Sequence, residues 1–257
     1  MNQDNPTPYE TLPPSAVPGR QHAMGPVYRP FVTYSLIGIC VVVYLLQWVT
    51  QSFLNIDIPA AWGVKDNILI MQGQVWRFIT PIFLHGSIVH LGFNMYALFA
   101  LGPTLERFYK HWRYLVLFLL GGFAGNVLSF MFTKNPSLGA STAIFGLLGA
   151  EGVLIYQNRE IFGANARRAL PQVVMIAVIN LMIGLSIPAI DNWGHIGGLV
   201  GGTLFAWFGG PLLQRQGLFP PYTLKDVRSS REVIIAGFGV GGLFSFLAIA
   251  AIFLQKG

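Results

Sequence analysis

The stretch Asp191-Asn192-Trp193-Gly194-His195-Ile196-Gly197-Gly198-Leu199-Val200-Gly201-Gly202 sets the reading of the whole chain. On a helix, His195, Gly198, Gly202 and then Ala206 fall at offsets 0, 3, 7 and 11, one face of small residues with an imidazole at its top. Faces of this kind let transmembrane backbones approach closely. On this stretch alone, the histidine could equally bond a backbone carbonyl of an ordinary helix partner. Composition supplies the setting. The chain has 257 residues, 53% hydrophobic and 10% charged, with mean hydropathy +0.56, whereas soluble domains carry about 25% charged residues. A solvated enzyme of this length, a disordered protein and a collagen-like fibre are thereby excluded. The single cysteine, Cys40, forms no intrachain disulfide and lies in an apolar run that suits a buried thiol.

Seven segments are apolar enough to span a bilayer: 31–50, 82–104, 112–132, 139–157, 170–189, 194–211 and 233–254. Trp48, Trp112, Trp193 and Trp207 fall near their ends, where aromatic belts form. With a cytoplasmic N-terminus, twelve basic residues fall inside and four (Lys65, Arg77, Lys134, Lys256) outside. That asymmetry explains the net charge of +6 as topology, so nucleic acid is not an expected partner. The expected architecture is an all-α polytopic membrane protein. It comprises a disordered Pro-rich cytoplasmic tail (1–30), a six-span core (31–211), a cytoplasmic linker (212–232) and a seventh span (233–257), a 6+1 arrangement. Residues 51–81 form an external loop expected to dip into the outer interface. No cleavable signal or transit sequence opens the chain, so a plasma membrane is the simplest location.

Polar residues within spans are costly and mark function. They are few: His85, His90 and Asn94 in the second span, Ser141 atop the fourth, Glu151 lower in it, and His195 atop the sixth. Asn126 and Asn180 read as helix-packing amides. His90, Ser141 and His195 share one depth near the outer face. Ser141 follows Gly139-Ala140, which keep the space before it open, and first-turn amides could stabilise an oxyanion beside it. The same serine could simply cap the helix. On the fourth span Ser141, Phe145, Gly149 and Gly152 form a small-residue face; if it packs on the His195 face, hydroxyl and imidazole meet. Asp191 reads as a helix N-cap, and Glu151, roughly 15 Å below Ser141, is too far to join its chemistry. His85 and His90 are five residues apart, poor zinc spacing on a helix, and no His-Glu-x-x-His is present; no metal or cofactor is expected.

Taken together, Trp76-Arg77, His90-Leu91-Gly92-Phe93-Asn94, Gly139-Ala140-Ser141 and Gly194-His195-Ile196-Gly197-Gly198 resemble the rhomboid intramembrane serine proteases in order and spacing over about residues 30–211. The resemblance implies a Ser–His dyad without a carboxylate, with Ser141 as nucleophile and His195 as general base and acid. It also implies that His90 and Asn94 join the Ser141 amide in an oxyanion hole, and that Glu106-Arg107 is a structural inner-face feature. Partners would be transmembrane protein substrates in the lipid bilayer. Thr142 departs from the glycine that many members carry after the serine. A catalytically inert, client-binding member of the family is the alternative. A small transporter would show ionisable groups at several depths, which this chain lacks.

Overall fold

The computed structural model describes residues 28–217 and 223–256. The disordered tail expected over 1–30 thus lies outside the described residues up to 27, as does Pro220-Pro221 of the linker. The described residues are mostly helical. The elements are α1 (Phe31–Leu54), the short α2 (Ile58–Gly63) and α3 (Asn67–Met71), two 3-10 turns (Val75–Phe78, Thr80–Phe83), α4 (Ile88–Tyr109), α5 (His111–Phe132), α6 (Ser141–Gln157), α7 (Arg159–Phe162), α8 (Ala164–Ser186), α9 (Asn192–Gly209), strands β1 (Leu213–Gln216) and β2 (Thr223–Asp226), and α10 (Ser230–Lys256). Helices α1, α4, α5, α8 and α10 are long and apolar enough to cross a membrane. This is an all-α polytopic membrane protein whose linker region carries one added antiparallel hairpin, β1–β2.

At the centre stand α5, α6 and α9, packed through glycine. An added Cβ at Gly121 would lie 3.1 Å from the Gly146 Cα, one at Gly197 2.6 Å from the Ala124 carbonyl oxygen, and one at Gly125 2.6 Å from the Gly194 carbonyl oxygen. Backbones therefore touch directly, and twelve of the seventeen residues of α6 are buried. Helix α10 packs on α5 and α9, while α4 and α8 flank α6 and barely meet each other.

The second long helix starts at residue 88 rather than 82, because Thr80–Phe83 tightens into a 3-10 turn and Ser87 caps α4, accepting the His90 amide at 3.1 Å. Helix α8 begins at 164, six residues before its expected start, taking Asn165, Arg167 and Arg168 into the first turns. Its first turns also contain Pro171.

Helix α1 begins after Pro30 and has no side-chain cap of its own. Its orphan amides are met from α4. The carboxylate of Glu106, fully buried, accepts from the Val32 amide at 2.9 Å, the Thr33 amide at 2.7 Å and the Thr33 hydroxyl at 2.6 Å. His111 Nδ1 lies 2.5 Å from the same group. A negative group suits a helix N-terminus electrostatically as well as by hydrogen bonding. Glu106→Ala would leave two buried amides and a hydroxyl unpaired, at a cost of about 3 kcal/mol or more. The expected result is a clear drop in the thermal midpoint of the detergent-purified protein with helical content retained below it; an unchanged midpoint would refute the role.

The loop between α1 and α4 is pinned by two buried cations. Arg77 donates to the carbonyls of Val64 and Ala61, both at 2.7 Å, closing the C-terminal end of α2, and to Gln74 Oε1 at 2.8 Å. Trp62 and Trp76 stack beside it, centroids 5.5 Å apart, and remain exposed. Lys65, with no exposed surface, donates to the carbonyls of Thr133 at 3.0 Å and Asn135 at 2.8 Å and to Asn67 Oδ1 at 3.1 Å. Burial lowers the Lys65 ammonium from near 10.5 to about 8, opposed by the charges of Asp191 and Asp66. Between those two pH values the unfolded chain binds the proton that the folded one has released. Stability gained from this group therefore rises with pH across that window and is flat below it. Thermal midpoints measured from pH 7 to 10 should climb more steeply in the wild type than in Lys65→Met; parallel curves would rule this out.

Candidate active site

Ser141 is the first residue of α6. Ala140 before it is in right-handed backbone conformation and makes no side-chain cap, and Ser141 Oγ does not turn back on its own helix amides. It forms a hydrogen bond instead with His195 Nε2, 2.9 Å away. The capping reading of Ser141 is thus set aside. Asp191, by contrast, is the N-cap of α9, its carboxylate accepting the Gly194 amide at 2.9 Å. That carboxylate also accepts from the hydroxyls of Ser129 and Thr133. It does not reach the imidazole, whose Nδ1 has no partner among the described residues.

What orients the imidazole is packing. Phe145, one turn below Ser141, stacks on the His195 ring with centroids 4.3 Å apart and planes within 8°. His195 itself is held by the close approach of α9 to α6. A Cβ at Gly198 would fall on the Thr142 carbonyl, and one at Gly202 on the backbone of Gly146. The small-residue face of α9 meets α6 as its spacing implied. The α6 face differs from expectation in its lower part: Gly146 and Gly149 make the contact, while Gly152 turns toward Val173 of α8.

His90, in the first turn of α4, lies over Gly139, whose φ is +134°. A Cβ at Gly139 would come within 2.8 Å of His90 Nε2 and 3.6 Å of Ser141 Oγ. Only glycine fits that crossing of loop and ring. His90, Ser141 and His195 thus share one small site. The amides of Ser141, Thr142 and Ala143 precede the first intrahelical bond of α6, from the Ile144 amide to the Ala140 carbonyl at 2.9 Å, and so have no acceptor within the helix. Asn94 is buried one turn below His90, but its Nδ2 donates to the His90 carbonyl at 2.9 Å, leaving one N–H for any other acceptor.

The other polar residues lie apart. His85 is buried outside the site, edge-on to His90 at 5.2 Å. Asn126 donates to the Phe78 carbonyl at 3.0 Å, tying α5 to the loop, as a packing amide should. Among the described residues Asn180 bonds only Ile176 of its own helix. Glu151 borders a small cavity toward the far end of α6. No cluster of three or more histidine, cysteine or acidic side chains that could hold a metal occurs among the described residues. Phe145 was read only as part of the α6 face, not as a partner of the imidazole, and the α5 glycines were not singled out, although the Gly121–Gly125 spacing is a small-residue signature.

A sequence-family model of the Rhomboid domain matches residues 72–212. The chain is 41% identical to the Rhomboid protease GluP of Bacillus subtilis over 178 residues, covering 69% of this chain and 34% of that protein. It is 32% identical to RHOMBOID-like protein 9, chloroplastic, of Arabidopsis thaliana over 178 residues, covering 69% of this chain and 41% of the relative. Identity to Rhomboid-like protease 1 of Toxoplasma gondii is 32% over 190 residues, covering 67% and 64% of the two chains. The matched region spans about a third to two thirds of the length of these relatives.

Proposed function

The chain belongs to the rhomboid family, and on that premise we propose that it is an intramembrane serine endopeptidase cleaving transmembrane helices of membrane-protein substrates near the outer face. The observation that carries the reading is the hydrogen bond between Ser141 Oγ and His195 Nε2, at 2.9 Å. His195 takes the hydroxyl proton as Ser141 attacks the scissile carbonyl, then returns it to the leaving amine; water hydrolyses the acyl-enzyme by the same route. The Ser141 amide, His90 and the remaining Asn94 N–H supply donors to the oxyanion. A helical substrate hides its carbonyls in its own hydrogen bonds and must unwind locally. The gap between α4 and α8, both resting on α6, is the lateral way in.

The topology is proposed with it. Residues 31–211 form a six-crossing catalytic core, with α6 and α9 inside the ring of longer helices, and 233–257 the seventh crossing. The N-terminus is cytoplasmic, since twelve of sixteen Lys and Arg then lie inside, and the membrane is the plasma membrane. The linker over 212–232 is the inner hairpin, where Arg113 pairs with Asp226 at 2.7 Å and joins it to α5.

A fluorophosphonate probe on detergent-purified protein tests the reading, since only an activated serine reacts. Labelling that maps to Ser141 is expected. An unlabelled protein that still binds transmembrane clients would instead support an inert, client-binding role.

A further inference from the structure

At the end of α6 opposite Ser141, helices α6, α7 and α8 border an open cavity of about 510 Å³ that the proteolytic reading does not use. Its rim is charged and its walls are not. Arg159, Arg167 and Glu160, all exposed, stand at the mouth, while Ile155 and Ala166, buried, and Leu170, half-buried, line it further in. Arg159 is braced, its guanidinium 4.9 Å over the Tyr156 ring and donating to the Tyr156 carbonyl at 3.0 Å. Arg167 is exposed and makes no side-chain hydrogen bond among the described residues. Pro171, lacking an N–H, leaves the Arg167 carbonyl without its helical partner.

A second cavity of about 160 Å³ adjoins the first, sharing Ile155 and Ala166. Leu105, Phe108, Leu154, Phe162 and Ala169 make most of its wall apolar, and Thr104, Glu151 and Asn165 also border it. The two compartments together have the form of a lipid: a charged mouth with guanidinium donors and carboxylate and carbonyl acceptors, leading to an apolar recess. We propose that this is a binding site for one anionic glycerophospholipid. The phosphate sits between Arg159 and Arg167, head-group hydroxyls donate to Glu160 and the Arg167 carbonyl, and acyl chain fills the recess. Two cations against one anion at the mouth favour a net negative lipid over a zwitterionic one, and basic pockets between helices at the cytoplasmic side suit such head groups. A lipid there ties the inner end of α8 to α6. That matters for α8, whose buried residues are only Ala166, Val173, Ala177 and Gly184.

The site is independent of catalysis, and its test does not read cleavage. Delipidated full-length protein is titrated with phosphatidylglycerol, phosphatidylcholine or inorganic phosphate, and followed by native mass spectrometry and thermal unfolding. One retained phosphatidylglycerol and a raised midpoint are expected, with affinity at least about tenfold weaker for phosphatidylcholine and for the Arg159→Gln/Arg167→Gln double variant. Both arginines are exposed, so the variant keeps its fold, which circular dichroism checks. Equal retention of phosphatidylcholine, or undiminished phosphatidylglycerol binding by the variant, overturns the proposal. Equal stabilisation by inorganic phosphate overturns it too, by making this a site for the free anion.

Discussion

On the proposed function, Ser141→Ala is expected to lower turnover of a reconstituted transmembrane substrate by about a thousandfold or more while leaving the protein folded and inserted. The size of the effect follows from what the hydroxyl does: without it no acyl-enzyme forms, and the remaining oxyanion donors have no tetrahedral centre to stabilise. The small structural cost follows from the surroundings. The substitution removes one hydrogen bond, to His195, worth about 1 kcal/mol, while Phe145 continues to stack on the ring and Gly198 continues to seat α9 on α6. His195→Ala gives the same loss of cleavage by removing the base. A double variant adds little to either, since the two groups act as a unit. Purified Ser141→Ala that processes substrate at the wild-type rate would end the dyad reading.

The second large effect comes from a residue that performs no chemistry. Gly198→Ala drives a methyl group into the Thr142 backbone, which belongs to the residue following Ser141, with its carbonyl carbon 2.9 Å and its Cα 3.3 Å from the added Cβ. Neither side of that contact is a side chain that can turn away, so α9 must shift relative to α6. Overpacking costs about 1–3 kcal/mol, and a displacement near 1 Å at a catalytic pair costs roughly a hundredfold in rate. Cleavage by Gly198→Ala should therefore fall by at least about a hundredfold, together with the thermal midpoint. Gly239→Ala in α10, whose added Cβ meets nothing within 4 Å, is the matched control and should behave as wild type. Full activity in Gly198→Ala would mean that helix contact does not set the geometry of the pair.

These two experiments rest on features with different legibility in the sequence. The offsets of Gly198 and Gly202 from His195 are a periodic pattern, and periodicity survives folding, so that face was readable. The α6 face was only half readable: Gly146 and Gly152 are both small, and choosing between them depends on the crossing of the helices. Hydropathy located the long helices but placed the start of α4 too early, because the apolar run Pro81–Leu84 continues through a 3-10 turn that composition does not distinguish from helix. Lys65 looked like an ordinary outer-loop cation, and Arg77 stood out only as part of the resemblance, not as a buried group. Their partners are backbone carbonyls, which every residue possesses, so no side-chain pattern announces that they are buried. The turn of the Asn94 amide toward its own helix is likewise a rotamer choice that spacing does not encode. The β1–β2 hairpin is hidden for another reason: two four-residue stretches, each three polar residues and one leucine, on either side of Pro220-Pro221 read as a plain linker.

The Glu106 carboxylate bears on how the molecule is made. Its acceptors close amides 73 and 74 positions earlier in the chain. During synthesis α1 leaves the ribosome well before Glu106 exists, so its first turn enters the bilayer interface with those groups still hydrated. Only when α4 has been made can the carboxylate displace that water and draw the start of α1 to the end of α4. These bonds can form only once Glu106 has been made, so the part of α1 docking that depends on them follows the synthesis of α4.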